Sequence, residues 1–530
     1  MENKLRTGGY RIQLAIDTSI QETVQDTISS WGKYPSLRDP SDKVYKSKNS
    51  DGTYTEIIQP QAAAVVLDYR TGEIKAIVGS RDTPTARKTL NRATDMKMPV
   101  GSSIKPIAVY APALELGASP ASVVYNIPVP ITGWKDSNGK DSWPKNYGGK
   151  GYLGPETFRT AMAKSHNVGA AYTLMNYVGV SNSVNFLHQM GIDDDHIEAT
   201  PFGLSMGSSG ITPLQMSVAY GVLANGGVYQ TPISVLGISD SNGNVIWDGH
   251  ANQKRTRVFS LSTSYMIVDM LKSDVPSGNN AYIKGQTVGG KTGTNSDQRG
   301  VFFSGVTGYY ASALWIGHDN YKALASSATG NGAAAPLWKA YMEKIHKGLA
   351  NKDILEGSYS DYGLVKVKTC VVSGQLATEA CENDVMGYGT TTDYWREGTQ
   401  PTVSCQMHVT ESVCTDSGML AGQYCTNVEY RGVVTIPYGH PLYQYLGTEY
   451  ETVLQQYLGT SVSNASTVCT IHSAYTPAQT EPTEDTEDTE QTSGFESDAR
   501  RLLQQAYSML QGMDPGEARY ASIYNACTGL

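Results

Sequence analysis

The sequence predicts an α+β domain whose sheet is completed by chain segments far apart in sequence, followed by a smaller cysteine-bearing module. Three observations carry this. Strand-like runs stand at both ends of the first 350 residues and enclose a middle of helical pattern. All seven cysteines lie at or beyond Cys370. The region around them repeats itself, with Cys370-Val-Val-Ser-Gly-Gln-Leu-Ala answered by Cys414-Thr-Asp-Ser-Gly-Met-Leu-Ala.

The elements follow in order. Residues 10–17 read as a strand and 20–30 as a helix. Residues 62–67 and 73–78, joined through Thr71-Gly72, read as a hairpin. Residues 102–116 read as a helix ending near Gly117, and 156–177 as a second, unbroken one. Helices are expected over 213–224, ending at Gly226-Gly227, and over 260–272. From Val288 the pattern turns strand-like, with runs over 289–294, 302–307 and 311–317. An amphipathic helix over 337–349 closes the domain. After Pro477 an acidic run without apolar residues reads as a disordered linker, followed by an amphipathic helix over 498–511.

The bulk properties exclude several functions. Net charge is -9, with 41 Lys+Arg against 50 Asp+Glu, which argues against binding a phosphate backbone; no nucleic-acid partner is expected. There is no run of 18 or more apolar residues and no signal-peptide pattern at the start.

Three short motifs point to chemistry. They are Ser102-Ser103-Ile104-Lys105, Ser165-His166-Asn167 and Lys291-Thr292-Gly293-Thr294, in that order. Further S-x-x-K matches at 30–33 and 142–145 are chance, whereas Lys-Thr-Gly occurs once. Positions 102 and 105 share one helix face, so the amine can reach the hydroxyl. A serine hydroxyl needs a neighbouring base to become a nucleophile. Lys105 can serve only when neutral, and a free lysine titrates near ~10.4. Reaching neutrality near pH 7 costs about 4–5 kcal/mol. Burial and a second cation supply such a shift, and Lys291 is the candidate cation. A helix N-terminus also aims backbone N–H groups at an oxyanion.

The motif set, with its flanking text, resembles the transpeptidase region of class A penicillin-binding proteins of Gram-positive, clostridial type. The resemblance runs from about Gly8 to His472. It includes Gly9-Tyr10-Arg11-Ile12, Thr71-Gly72-Glu73-Ile74, and Leu90-Asn91-Arg92-Ala93 ahead of Gly101-Ser102. It continues through Asn146-Tyr147, Ala219-Tyr220, Ala224-Asn225-Gly226-Gly227 and Trp315-x-Gly317-x-Asp319. One departure is Ser277-Gly278-Asn279-Asn280, where the family often carries Gly-Thr-Gly.

The resemblance implies a penicillin-binding/serine-β-lactamase-like fold: an antiparallel sheet flanked by helices, plus a helical subdomain. It implies an interdomain-linker-like segment over 1–60, the transpeptidase domain over 61–350, the duplicated cysteine module over 351–475, the acidic linker over 476–497 and a helical tail over 498–530. The implied activity is peptidoglycan D,D-transpeptidation. Ser102 attacks the carbonyl between the terminal D-alanines of a stem peptide, and Lys105 takes its proton. Ser165 relays a proton to the leaving amine and Asn167 holds the substrate amide. Lys291 tunes the field, while Thr292, Gly293 and Thr294 receive the terminal carboxylate. N–H groups of Ser102 and Thr294 form the oxyanion hole. β-Lactam antibiotics would acylate Ser102. The implied partners are stem peptides and the cell-wall synthesis machinery, at the extracytoplasmic face of the plasma membrane. No metal or organic cofactor is required by this chemistry. Neither the glycosyltransferase domain nor the membrane anchor of the class is expected in this chain. A D,D-carboxypeptidase or β-lactamase of the same superfamily shares the motifs, as does a non-catalytic penicillin-binding sensor or cell-wall binding protein.

The cysteine module leaves two readings. Each copy ends in Cys-x-x-His, Cys405–His408 and Cys469–His472, so a zinc site is one. No Cys-x-x-Cys knuckle is present, and disulfides persist outside the membrane, which favours the other. Six cysteines allow 15 pairings. Copy symmetry favours Cys370–Cys381, Cys414–Cys425 and Cys405–Cys469, with Cys527 free.

Overall fold

A computed structural model describes residues 6–48, 52–83, 89–149, 151–460 and 468–472. The acidic linker, the helix expected over 498–511 and Cys527 lie outside the described residues.

The hairpin signal forms as β1 (Gln61–Asp68) and β2 (Glu73–Val78). The late strands form as β3 (Val288–Thr294), β4 (Gly300–Thr307) and β5 (Ala311–Gly317). They make one antiparallel five-stranded sheet in the order β3-β4-β5-β1-β2. The chain's late strands pair with its early hairpin through β5 and β1, with Trp315 opposite Ala63 and Leu314 opposite Ala64.

Alternation along β1 sends side chains to two cores. Ala62, Ala64 and Val66 pack with α1 (Thr18–Ser29) and the helix that runs over Ala335–Ile345, through Val24, Ile28, Leu337, Trp338 and Tyr341. Ala63, Val65 and Leu67 face the helical side with Phe302 and Trp315. There α2 (Pro213–Ala224) lies across the sheet, started by a capping box of Thr212 and Gln215. Its apolar residues run all round, as a helix in the middle of a layer requires. Beside it stands α3 (Leu261–Ser273), capped by Ser260. Because α1 contributes Val24 and Ile28 to the core, residues 1–60 carry part of the domain itself, and residues 1–472 form one compact unit.

Two expectations need correction. The strand read over 10–17 forms only over Arg11–Leu14 and pairs with Val235–Ser239 outside the main sheet. The helix read over 156–177 is broken. A strand Gly154–Thr157 comes first, paired with Val123–Asn126, then a helix Phe158–Ala163 capped by Thr157. Ser165 turns left-handed at φ 57°, and a new helix starts at Asn167. Local propensity favours one helix, whereas the contacts that the Lys105 amine makes here need a bend at this point.

Two motifs 227 residues apart meet at the end of β5. Arg92 donates a bidentate pair to Asp319, Nε to Oδ1 and Nη2 to Oδ2, each at 2.6 Å. Gln59 Nε2 donates to the same carboxylate at 2.9 Å, and Arg92 also reaches the Gly79 carbonyl. Both charged side chains are about 95% buried, at 4% and 5% exposure.

The cysteine module comprises two hairpins, β6 (Leu364–Cys370) with β7 (Thr390–Arg396), and β8 (His408–Cys414) with β9 (Val428–Val434). Its first copy shares a core with the helical subdomain, where Val123, Tyr125 and Ile127 pack with Val372 and Met407. Arg159 holds Asp393 of β7 through Nε at 2.7 Å and Nη2 at 2.6 Å.

Arg92→Ala should leave Asp319 buried and uncompensated, costing about 3–5 kcal/mol in denaturant unfolding. A midpoint unchanged from the parent chain would show that the pair does not hold the sheet end.

Candidate active site

The nucleophile candidate sits on a turn shaped by backbone approach. Gly101 has φ 58° and packs its Cα against the backbone of Thr294, where a Cβ would lie 2.7 Å from the Thr294 nitrogen. On its other side Gly101 N–H donates to the Gly207 carbonyl at 2.9 Å, and a Cβ on Gly207 would fall 2.0 Å from the Gly101 oxygen. Only glycine fits these positions. The helix expected over 102–116 changes pitch along its length. Gly101–Ile104 is a 3₁₀ turn, Pro106–Tyr110 a wider π turn, and Ala111–Glu115 is α-helical. Ser102 is half-buried on the floor of the cleft, and Lys105 lies fully buried beneath it.

The bend at Ser165 explains itself here. Lys105 Nζ donates to the Ser165 carbonyl at 3.0 Å, the His166 carbonyl at 3.3 Å and Asn167 Oδ1 at 2.9 Å. A continuous helix would turn those two carbonyls into its own ladder. The bend is held from behind. His166 Nδ1 stands 2.8 and 2.9 Å from the Glu156 carboxylate oxygens, and Asn126 donates to Glu156 at 3.0 Å. Asn146 Oδ1 accepts the backbone N–H of Asn167 at 2.9 Å, while its amide donates to Asn126 at 2.8 Å.

The third motif lies on β3, an edge strand. Thr292 and Thr294 face the cleft, and Lys291 and Gly293 face the nucleophile turn. A Cβ on Gly293 would sit 2.1 Å from the Val100 carbonyl oxygen, so the glycine permits the strand to touch the turn. A Cβ on Gly330 would lie 2.5 Å from the Gly293 carbonyl oxygen, and the Gly330 N–H donates to Thr294 Oγ1 at 3.0 Å. Lys291 is 3% exposed, with Nζ 3.8 Å from Asp274 Oδ2 at the end of α3.

Electrostatics follow from this burial. Burial pushes the Lys105 amine well below its ordinary value, and Lys291 pushes it further, against Glu156 and Asp274. Burial also lowers Lys291, against Asp274. Asp274 is raised to about 7 by burial, against Lys291, Lys105 and Arg159. Neither Asp274 carboxylate oxygen has a hydrogen bond. For this pair desolvation outweighs mutual attraction at 3.8 Å.

These groups surround one cleft of about 470 Å³. Ser102, Ser165, Asn167, Thr292 and Thr294 line it, with Tyr147, Phe202 and Met206 at its edge, and Lys105 and Lys291 lie underneath. Sequence reasoning missed Asp274, Glu156, Asn126, Gly207 and Gly330. None belongs to a motif, and a lone acid after a helix gives no signal before the fold places it beside Lys291.

The six described cysteines are free thiols gathered in two groups, which corrects the favoured pairing. Cys370, Cys381 and Cys405 converge with His408, and Cys414, Cys425 and Cys469 with His472. Each copy folds onto its own cysteines, so Cys405 and Cys469 belong to different groups.

Residues 62–301 match the family model of the penicillin binding protein transpeptidase domain, and the fold is of that class. Residues 362–410 match the model of the penicillin-binding protein 1A C-terminal domain. The chain is 32% identical over 424 residues to penicillin-binding protein 1A of Clostridium perfringens, covering 77% of this chain and 48% of that one. It is 32% identical over 435 residues to the Clostridium botulinum protein of that name, covering 80% and 49%. The chain thus spans about half the length of these relatives. Its fold is similar to the crystal structure of penicillin-binding protein 1A from Haemophilus influenzae, with TM-score 0.60, 20% identity, and 76% of this chain and 75% of that one covered. It is also similar to the PonA1 protein of Mycobacterium tuberculosis in complex with penicillin V, with TM-score 0.55, 21% identity, and 68% and 91% covered.

Asp274 makes stability depend on pH with a definite sign. Its folded value, about 7, stands above the ordinary 3.8, so the fold favours the protonated carboxyl. That contribution is complete below about 4 and is lost as pH rises through about 7. Relative to Asp274→Asn, the parent chain should lose up to about 4 kcal/mol of stability across that window. Urea unfolding at a series of pH values measures it, and a flat difference would show an unshifted carboxyl.

Proposed function

We propose that this chain is a peptidoglycan D,D-transpeptidase that works through a serine acyl-enzyme and is acylated by β-lactams. The observation that carries the reading is the pairing of a cleft-floor hydroxyl, Ser102, with a fully buried amine, Lys105, depressed by burial and by Lys291. The carbonyl between two terminal D-alanines is the electrophile. Neutral Lys105 removes the Ser102 proton as Oγ bonds to that carbon. Its three acceptors at Ser165, His166 and Asn167 suit the ammonium form; the neutral amine keeps two and turns its lone pair to Ser102.

The developing oxyanion is taken by the N–H groups of Ser102 and Thr294, a reading supported by the close approach of Gly101 to the Thr294 backbone. Ser165 passes a proton to the departing D-alanine amine, and Asn167 holds the stem-peptide amide. The terminal carboxylate meets Thr292 and Thr294. Thr294 Oγ1 already accepts from Gly330, which leaves its own hydrogen to donate. An amine of a second stem peptide then attacks the ester, closing the cross-link and releasing Ser102. Stem peptides place the reaction at the extracytoplasmic face of the plasma membrane, beside the cell-wall synthesis machinery. No helix among the described residues is long and apolar enough to cross a membrane.

Support for a transpeptidase over a class A β-lactamase comes from the carboxylates near the cleft. Among the described residues lining it the one carboxylate is Asp297, exposed and 3.7 Å from Arg299. Glu156 is already occupied by His166 and Asn126.

Labelled penicillin should add one equivalent to Ser102, read by intact mass and peptide mapping, and none to Ser102→Ala. A label on another serine would displace the assignment. With an added acceptor amine, cross-linked dimer should exceed hydrolysed peptide; hydrolysis alone would make the chain a carboxypeptidase, and a persistent acyl-enzyme on a substrate analogue a sensor.

Lys105→Ala should slow acylation about 10²–10⁴-fold through loss of the base. Lys291→Ala removes the neighbouring cation that holds the Lys105 value down, so that value should rise. The rate climbs with pH as Lys105 loses its proton, so this limb should move to higher pH in Lys291→Ala. An unmoved limb in stopped-flow acylation would separate Lys291 from Lys105.

A further inference from the structure

We propose that each copy of the C-terminal repeat holds one zinc ion, the first on Cys370, Cys381, Cys405 and His408, the second on Cys414, Cys425, Cys469 and His472. In each group one ligand atom from all four residues lies within 4.8 Å of the others. Tetrahedral zinc with Zn–S about 2.3 Å and Zn–N about 2.0–2.1 Å requires S···N edges of about 3.6 Å. The observed edges run close to this. His408 Nδ1 stands 3.3 Å from Cys370 Sγ and 3.5 Å from Cys405 Sγ. His472 Nδ1 stands 3.4 Å from both Cys414 Sγ and Cys469 Sγ. A disulfide uses two thiols and gives the third thiol and the imidazole no reason to converge.

The surroundings are those that thiolate ligands need. Backbone N–H groups point at the sulfurs: Val372 and Ser373 at Cys370 (3.3 and 3.4 Å), Thr378 at Cys381 (3.4 Å), Gly422 at Cys425 (3.3 Å). Ser373 Oγ donates to Cys405 Sγ at 3.1 Å. Each imidazole turns its other nitrogen to a carboxylate. Asp384 Oδ1 lies 3.5 Å from His408 Nε2, and Asp416 Oδ2 lies 3.3 Å from His472 Nε2. His408 Nε2 makes no hydrogen bond as it stands, and a carboxylate on that side favours the tautomer that leaves Nδ1 free to bind metal.

Those carboxylates are not repeat partners. Asp384 follows the second cysteine of its copy by three residues, and Asp416 follows the first cysteine of its copy by two. The same arrangement is therefore reached from two different positions. The copies also tolerate an insertion. The cysteine spacings are 11 then 24 in the first (381−370, 405−381) and 11 then 44 in the second (425−414, 469−425), yet both close on Cys-x-x-His. Three soft thiolates and one imidazole in a closed tetrahedral set select zinc, and three thiols release their protons as it binds.

The first site packs against the strands that support the cleft. Tyr125 Oη donates to the Val372 carbonyl, two residues from Cys370, at 2.9 Å. Its strand, Val123–Asn126, pairs with the strand that carries Glu156.

The full chain, purified without chelators, should contain two zinc ions by elemental mass spectrometry. Cys405→Ser and Cys469→Ser should each retain one. Cobalt exchange should give a thiolate-to-cobalt charge-transfer band and tetrahedral d–d bands. Cys370–Cys381 or Cys414–Cys425 disulfides in freshly isolated protein mapped without reductant would overturn the proposal. So would iron in place of zinc, or reduced protein that takes up no zinc on dialysis against the metal.

Discussion

The structure depends on one constraint: an amine at Lys105 buried completely and yet kept usable. Water cannot solvate it, so the protein must supply every acceptor. The 165–167 segment does so with two carbonyls and a side-chain oxygen, and the chain there abandons its helix to present them. That bend must in turn be held. Glu156, Asn126 and Asn146 hold it, on strands and loops that the helical subdomain exists to position.

The second demand on the same amine is a depressed proton affinity. Burial acts first, and Lys291 adds a like charge from the neighbouring strand. Lys291 is itself buried, and Asp274 stands 3.8 Å from it at the end of α3. None of the three reaches its ordinary titration value, because each is partner to groups that are themselves desolvated. The sheet brings this cluster together only because β3 touches the nucleophile turn with no side chain between them.

Much of this was legible in the sequence. Periodicity located the hairpin, α2, α3 and the late strands within a few residues, since each carries a strong apolar pattern with glycine or polar stops. The three motifs named the residues that the fold gathers round one cleft. What stayed hidden has a common cause: it resides in contacts between distant segments. Continuous helical propensity over 156–177 concealed the left-handed Ser165. Asp274 and Glu156 are ordinary acids until the fold buries them. The cysteine repeat was visible, but copy symmetry pointed to Cys405 with Cys469, whereas each hairpin closes on its own three sulfurs. The Arg92 and Asp319 motifs were both noticed, and only the structure joins them.

The glycine contacts around Ser102 set where this protein can change. Gly101, Gly207, Gly293 and Gly330 meet backbone at distances no side chain permits, so the frame of the cleft is held by main chain alone. Sequence drift at these points would separate strand from turn before it altered any preference. Diversity in what the cleft admits is thereby channelled to its rim, to Tyr147, Phe202, Met206 and Asn331, whose side chains border the opening without bearing on that frame. The reacting centre is rigid by composition and the entrance is free to vary.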